Sequence, residues 1–358
     1  MIFLMSPIER IRMLPGQHTL REIMSQPAVW AEALAAFDVK RSPLQKLLAT
    51  ANAKHIIVTG CGSTYYLALT AARLLRKSGV DASASPASEL LLHPASICLP
   101  GRRYLLLSVS RSGTTSETVR AQQNFKSEIG EFAITVTCDS GSPLARDADL
   151  AIAIDGAQEE SVAQTRSFSS MAVVLQLLAA AVAGCKLVAG RRLPTICGEL
   201  LETHAGLARS LGEDGAITKF FFLGSDALYG IACEAMLKMK EMSLSYSEAY
   251  HTLEFRHGPM SMVGDDSLVI GLISPGAARQ ENRVLDEMAE MGASVLAIGQ
   301  APGQQQHQIT LPANLPRCCA PVLHLPVLQL LAYHRAVFNG CDPDNPQQLT
   351  AVVSLDDI

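Results

Sequence analysis

Short, continuous apolar runs alternate with longer helical segments through most of this chain, the pattern of strands covered on both faces by helices. Residues 1–45 read as helical, with Thr19-Leu20-Arg21-Glu22 as a capping box ahead of Ile23 and Pro27 as an interruption or restart. From His55 the alternation sets in. Ile56-Ile57-Val58-Thr59 predicts a short buried strand, Gly60-Cys61-Gly62-Ser63-Thr64 a turn, and residues 65–77 a helix. Strands follow near residues 80–84, at 104–109 and at 132–137, with a helix reaching about Phe125 between the last two. A loop over residues 159–166 leads into a long apolar helix at 169–183. The fold class is therefore α/β, a parallel sheet flanked by helices.

The pattern then repeats. Phe220-Phe221-Phe222-Leu223-Gly224-Ser225 mirrors residues 56–61, with Gly224 lying 164 positions after Gly60. Residues 268–276 mirror the stretch ending at Gly113, and Ser274 again lies 164 positions after Ser110. Residues 293–299 repeat the strand at 132–137, and residues 323–338 take the place of the long helix. The predicted organisation is a helical arm (1–44), a first unit (45–190), a linker around residues 190–194, a second unit (196–340) and a tail (341–358). The arm is expected to pack on a neighbouring domain or subunit.

Composition narrows the class of partner. At 358 residues, 48% hydrophobic and 18% charged, there is room for two cores. A net charge of −5 argues against nucleic acid or an anionic membrane surface. Residues 171–183 are too short to cross a membrane and contain Gln176. Residues 1–5 lack the charged flank and cleavage site of a signal peptide. The nine cysteines are odd in number and show no C-x-x-C spacing, so they are expected to be reduced, buried side chains of a cytoplasmic protein. The adjacent Cys318 and Cys319 are expected in a strand interior, with a redox pair as the alternative.

The densest candidate chemistry lies at residues 107–118, where a strand breaks at Ser110-Arg111-Ser112-Gly113-Thr114-Thr115 and a helix follows from Glu117. The first N–H groups of a helix lack partners and its dipole favours an anion there. Four hydroxyls and the Arg111 guanidinium add donors for a phosphate; alternatively the hydroxyls cap the helix. In the second unit the equivalent turn is Ser274-Pro275-Gly276-Ala277-Ala278, which has lost hydroxyls and an N–H, so one phosphate site is expected, in the first unit. Glu234, Lys238 and Glu241 fall at i, i+4 and i+7 of an otherwise apolar helix. That face meets either water or a cleft, and in a cleft Glu241 would be a base with Lys238 beside it. Next, His251, Glu254, Arg256 and His257 crowd ahead of Gly258-Pro259; His257 is a general acid/base or a surface histidine. No metal-ligand spacing pairs the histidines. The turn at Gly60-Cys61-Gly62 has Tyr65 where a dinucleotide fingerprint needs glycine, so no nicotinamide or other cofactor is expected.

Taken together, the double unit and five motifs resemble the sugar isomerase (SIS) family. The motifs are Gly60-Cys61-Gly62-Ser63-Thr64-Tyr65, Ser110 to Thr115, residues 159–168, residues 234–241, and Glu254-Phe255-Arg256-His257-Gly258-Pro259-Met260. The likeness covers residues 45–358. Within the family it is to the isomerase half of the glutamine–fructose-6-phosphate amidotransferases and to stand-alone phosphosugar isomerase/deaminases. The resemblance implies two tandem doubly wound, flavodoxin-like units. It implies that Ser63, Thr64, Ser110, Arg111, Ser112 and Thr115 hold a sugar 6-phosphate and that Val162 contacts the sugar through its backbone. Glu241 would carry the proton between C1 and C2 with Lys238 beside it. His257 would open the ring, reaching in from the partner of a homodimer. Arg111 replaces a glutamine of the synthases, and Ala351 a lysine. With Met1-Ile2 at the start and no nucleophilic cysteine there, no glutaminase activity is expected. The function expected is release of ammonia from an amino-sugar 6-phosphate. Plain aldose–ketose isomerisation and fructosamine-phosphate cleavage are the alternatives, and a non-catalytic sugar-phosphate sensor is the reading from another class.

Overall fold

The structure, a computed structural model, describes residues 15–184, 187–313, 315, 320–347, 349 and 355. Strands β1 (His55–Gly60), β2 (Ala82–Pro86), β3 (Tyr104–Ser110), β4 (Ala133–Thr137) and β5 (Leu150–Ala153) form one sheet. Strands β6 (Lys219–Gly224), β7 (Tyr246–Tyr250), β8 (Ser267–Ile273), β9 (Ser294–Gly299) and β10 (His307–Thr310) form another. The orders are β2-β1-β3-β4-β5 and β10-β9-β8-β6-β7, one arrangement occurring twice, and every pairing is parallel. This is the flavodoxin-like doubly wound order, as the resemblance implied.

The helices are α1 (Gln17–Met24), α2 (Gln26–Ala51), α3 (Ser63–Lys77), α4 (Ala87–Leu92), α5 (Pro94–Ile97) and α6 (Ser116–Glu128) in the first part of the chain. They continue with α7 (Pro143–Asp147), α8 (Arg166–Val182), α9 (Leu193–Gly212), α10 (Ala227–Ser243), α11 (Ala278–Glu290) and α12 (Leu325–Phe338). Strands β1, β3 and β4 are buried at every position, which is why their sequences run apolar without alternation. Helix α8 is apolar all round because it lies inside the molecule, against α2 and α3. There Trp30 Nε1 donates to Ser169 Oγ at 2.9 Å, which satisfies the one polar atom of the indole. One hydrophobic core runs through both sheets, carried across by α3, α8, α10 and α12.

The internal repeat is visible in the coordinates. Strands β1 and β6 begin and end 164 positions apart, and α3 and α10 begin 164 positions apart. These two helices pack directly on each other. Gly230 permits the approach, since a Cβ there would lie 2.3 Å from the Tyr66 carbonyl oxygen. They run antiparallel. Lys238, near the end of α10, meets Ser63 at the start of α3, while Lys77 at the end of α3 pairs with Asp226 ahead of α10.

Four expectations change. The capping box at Thr19 does not form, because α1 starts two residues earlier, after Gly16. Its first turn is capped from the far end of the chain instead: Asp344 accepts from the His18 N–H at 3.0 Å and from the Thr19 N–H and Oγ1 at 2.7 Å each. The strand expected near residues 80–84 begins at Ala82, since the segment before it includes the positive-φ Gly79. Around residues 190–194 there is no open linker; a 3-10 turn at Leu187–Arg192 runs straight into α9, with Pro194 in its first turn, where proline is tolerated. Strands β5, β7 and β10 were not foreseen. All three stand at sheet edges; β5 and β10 are only four residues long, and β7 reads Tyr246-Ser247-Glu248-Ala249-Tyr250, too polar to signal burial. Residues 1–14, Cys185, Cys318, Cys319 and Ala351 lie outside the described residues.

Candidate functional site

In a doubly wound sheet the crevice opens where the strand order reverses, at the C-terminal ends of the two central strands. In the first sheet those are β1 and β3. A pocket of about 370 Å³ lies there. It gathers Ser63 and Thr64 from the start of α3, Ser110, Arg111, Ser112 and Thr115 from the turn after β3, Val162 from the following loop, and Lys238 and Glu241 from α10. Nine of the ten candidates thus meet in one cavity, drawn from both repeats. Lining residues not singled out from the sequence are Cys61, Gly62, Glu117, Ala163, Gln164 and Leu349.

Two helix N-termini, those of α3 and α6, open at this cavity, and neither has a side-chain cap. The hydroxyls at residues 110–115 therefore do not act as caps. The Ser110 Oγ accepts from the Gly113 N–H at 3.1 Å and the Ser112 Oγ from the Thr114 N–H at 3.2 Å, so both shape the turn. Gly113 has φ +61, and a Cβ there would fall 2.1 Å from the Ser142 Oγ; the turn requires glycine. What remains is a concave set of hydroxyls and two positive dipole ends, the chemistry of an anion site.

Arg111 is 8% exposed, and its guanidinium faces the loop as well as the cavity. Its Nη1 donates to the Val162 carbonyl at 2.9 Å and lies 3.8 Å from the buried Glu159 carboxylate. Glu159 in turn accepts from the Thr165 N–H at 2.7 Å and from the Ser167 hydroxyl. The Val162 N–H donates to the Asp344 carbonyl at 3.3 Å. Both backbone groups of Val162 are thus engaged, and its carbonyl oxygen can accept a second bond. Gln164, two residues on, lines the cavity and carries a buried Oε1 without a protein partner. Its place inside the 159–168 motif was the available signal.

The opposite wall is a buried charge cluster. Glu234 is fully buried, Lys238 is 1% exposed and Glu241 has a side-chain exposure of 21%. Lys238 Nζ lies 2.5 Å from Glu241 Oε2, 3.4 Å from Glu234 Oε1 and 3.3 Å from Ser63 Oγ. The i, i+4, i+7 face therefore lines a cleft, not bulk water. Burial pulls the Lys238 ammonium down, but the carboxylates of Glu234 and Glu241 outweigh it and hold the lysine charged. Burial pushes the Glu234 carboxyl up to about 8; Lys238 opposes that and Glu241 reinforces it. Only Glu241 presents a carboxylate that is both paired with a cation and open to the cavity.

His257 is the candidate that does not join. It is exposed, in the loop after β7, and does not line this pocket. His251 of the same motif stacks on Tyr229 at 3.8 Å.

The model of one family, described as SIS domain, matches residues 50–181 and 217–332. A glutamine–fructose-6-phosphate aminotransferase (isomerizing) of Pseudomonas putida is 30% identical over 362 residues, covering 94% of this chain; the chain spans 58% of that relative's length. A solved structure titled glucosamine-6-phosphate deaminase, from Thermotoga maritima, is 29% identical, covers 95% of this chain and 100% of that one, and superposes with a TM-score of 0.78. The tagatose-6-phosphate ketose/aldose isomerase of Escherichia coli, 24% identical, shares the fold with a TM-score of 0.81 and covers 94% of this chain and all of that one.

Proposed function

The chain belongs to the SIS domain family, and from that premise we propose that it is a phosphosugar isomerase/deaminase converting an amino-sugar 6-phosphate, glucosamine- or galactosamine-6-phosphate, to a ketose 6-phosphate and ammonia. The observation that carries this reading is the Lys238–Glu241 pair facing the hydroxyl turn of Ser110 to Thr115 across one cavity. A phosphate held at the turn and at Ser63 and Thr64 leaves the rest of a hexose chain to reach toward α10. The deaminase of T. maritima, matched over its whole length at 29% identity, supports the nitrogen-releasing version.

In this reading the Glu241 carboxylate takes the C2 proton of the open-chain amino-aldose, giving an enaminol, and returns it to C1. The product is a ketimine; water adds at C2, the C–N bond breaks, and ammonia leaves a ketose phosphate. Lys238 holds Glu241 in place through their ion pair, and its positive charge steadies the negative charge that develops on the substrate oxygen. Ring opening is assigned to His257 of a second copy, since His257 stands outside its own chain's pocket.

The test offers glucosamine-, galactosamine- and fructosamine-6-phosphate in parallel and measures ammonia and ketose phosphate. Ammonia from an aldose substrate that is lost by about 10²–10⁴-fold in Glu241→Gln, with sugar-phosphate binding retained, is the expected outcome. Sugar interconversion without ammonia would move the assignment to plain isomerisation. Binding without any turnover would move it to a sensor. The shared-site assignment has its own check. Mixing inactive Glu241→Gln and His257→Asn subunits should restore part of the activity, which neither variant shows alone.

A further inference from the structure

The loop that walls the first cavity has no periodic structure of its own. Residues 158–165 form neither helix nor strand, so each buried backbone group there needs a partner from elsewhere. Glu159 takes the Thr165 N–H and closes the loop on the start of α8. Arg111 reaches the Val162 carbonyl from the hydroxyl turn. A third anchor comes from α1, the helix that precedes both sheets.

Glu22 of α1 is fully buried. Its Oε1 accepts from the Glu160 N–H at 2.6 Å, and its Oε2 accepts from the Ser161 hydroxyl. Around this contact lies a rim of charges. The Glu160 carboxylate pairs with Arg21 and sits 3.0 Å from His18 Nδ1, while Arg166 Nη1 donates to Ser25 Oγ at 3.1 Å. Exposed pairs of that kind contribute little. The two bonds to Glu22 are charge-assisted and shielded from water, so they are the strong ones. The helix does not depend on them for its place, since Asp342 and Asp344 hold its start and Ile23 is fully buried. The loop does. Glu22 itself does not line the cavity, but Val162, Ala163 and Gln164, which directly follow its two partners, do.

We propose that Glu22 is a positioning residue for the reaction assigned above, on which this inference rests: it holds residues 160–163 where they wall the cavity. It thereby sets affinity for the sugar part of a phosphosugar and leaves the phosphate part to the hydroxyl turn. In the native chain, folding supplies the order of the loop. Without the Glu22 bonds the ligand must order it, and apparent affinity falls with the fraction of time the loop is in place. A loop in place about one-tenth of the time binds about tenfold more weakly.

Fructose 6-phosphate and inorganic phosphate are titrated into the whole chain by calorimetry, and hydrogen exchange at residues 160–163 is followed without ligand. Glu22→Ala should weaken fructose 6-phosphate by about tenfold or more and keep inorganic phosphate within about threefold. For the amino-sugar phosphate that is turned over, KM should rise with kcat little changed. Exchange at residues 160–163 should quicken. Glu22→Gln keeps the shape, with an oxygen for the Glu160 N–H and an amide that donates to the Ser161 Oγ, and should stay within about threefold of wild type on both ligands. If Glu22→Ala does not fold, Ser161→Ala decides, because it leaves α1 whole and removes one of the two bonds. Fructose 6-phosphate weakened by about threefold, with inorganic phosphate unchanged, is then expected. Unchanged fructose 6-phosphate affinity in the deciding variant, an equal loss for inorganic phosphate, or a loss in Glu22→Gln as large as in Glu22→Ala would each overturn the proposal. A wild-type chain that takes inorganic phosphate but no sugar phosphate would instead sink the assigned reaction. Hydrogen exchange then decides on the anchor, and exchange unchanged in the deciding variant would overturn it.

Discussion

Glu234 and Lys238 share an interior with almost no access to water, and the consequence is a measurable pH signature. The Glu234 carboxyl is pushed up to about 8 in the folded chain against an unfolded value of 4.5, so between these limits the unfolded chain releases a proton that the folded chain keeps. The stability it contributes is full below the unfolded value and is lost as pH rises through the folded one. Glu234→Gln should therefore flatten the decline in stability between about pH 5 and about pH 8, measured by urea unfolding of both proteins. Glu22 and Glu281, also raised by burial, add the same slope to both and cancel in the difference. That three charged residues shared a helical face was legible from their spacing. That the face was dry was not, because the burial comes from α3, a helix more than 150 positions away in the chain. Arg111 gives the converse lesson. A guanidinium in a hydroxyl-rich turn reads as a ligand for phosphate, yet it also donates to the loop carbonyl of Val162.

Among the elements, the two helix N-termini at the first cavity were predictable because a strand, a hydroxyl-rich turn and a helix follow one another within a few residues. The start of α1 was not, since local sequence offers Thr19 as a cap while the true cap, Asp344, lies 325 positions downstream of it. Losing Asp344 removes acceptors from two backbone donors of the first turn and one hydroxyl. Asp344→Ala should cost about 1–2 kcal/mol in thermal or chemical unfolding. It should also loosen the loop at Val162, because its backbone takes the Val162 N–H and its segment would lose its anchor. A rise in KM for the phosphosugar, with kcat little changed, is the expected kinetic outcome.

In the molecule as a whole, duplication set the architecture and divergence set the chemistry. The repeat was readable because parallel strands buried on both faces must stay apolar, so Phe220 to Leu223 still aligns with Ile56 to Thr59. Three of the four edge strands, β5, β7 and β10, were not readable, because exposure frees them from that constraint. Antiparallel packing of α3 on α10 then makes each crevice the joint product of both repeats, and neither repeat alone lines the first cavity. The bonds from Gly16, His18 and Thr19 to Asp342 and Asp344 set the first and last described helices side by side. The order in which the two repeats are connected is then of little account to the folded state. A circular permutant of the whole chain, opened in the turn at Leu187–Arg192 and with its original ends joined by a linker, should fold to the same two sheets and keep the first cavity. Near-native circular dichroism together with retained turnover would show it; a permutant that folds but does not bind sugar phosphate would show that the path through residues 187–192 is itself part of the site's geometry.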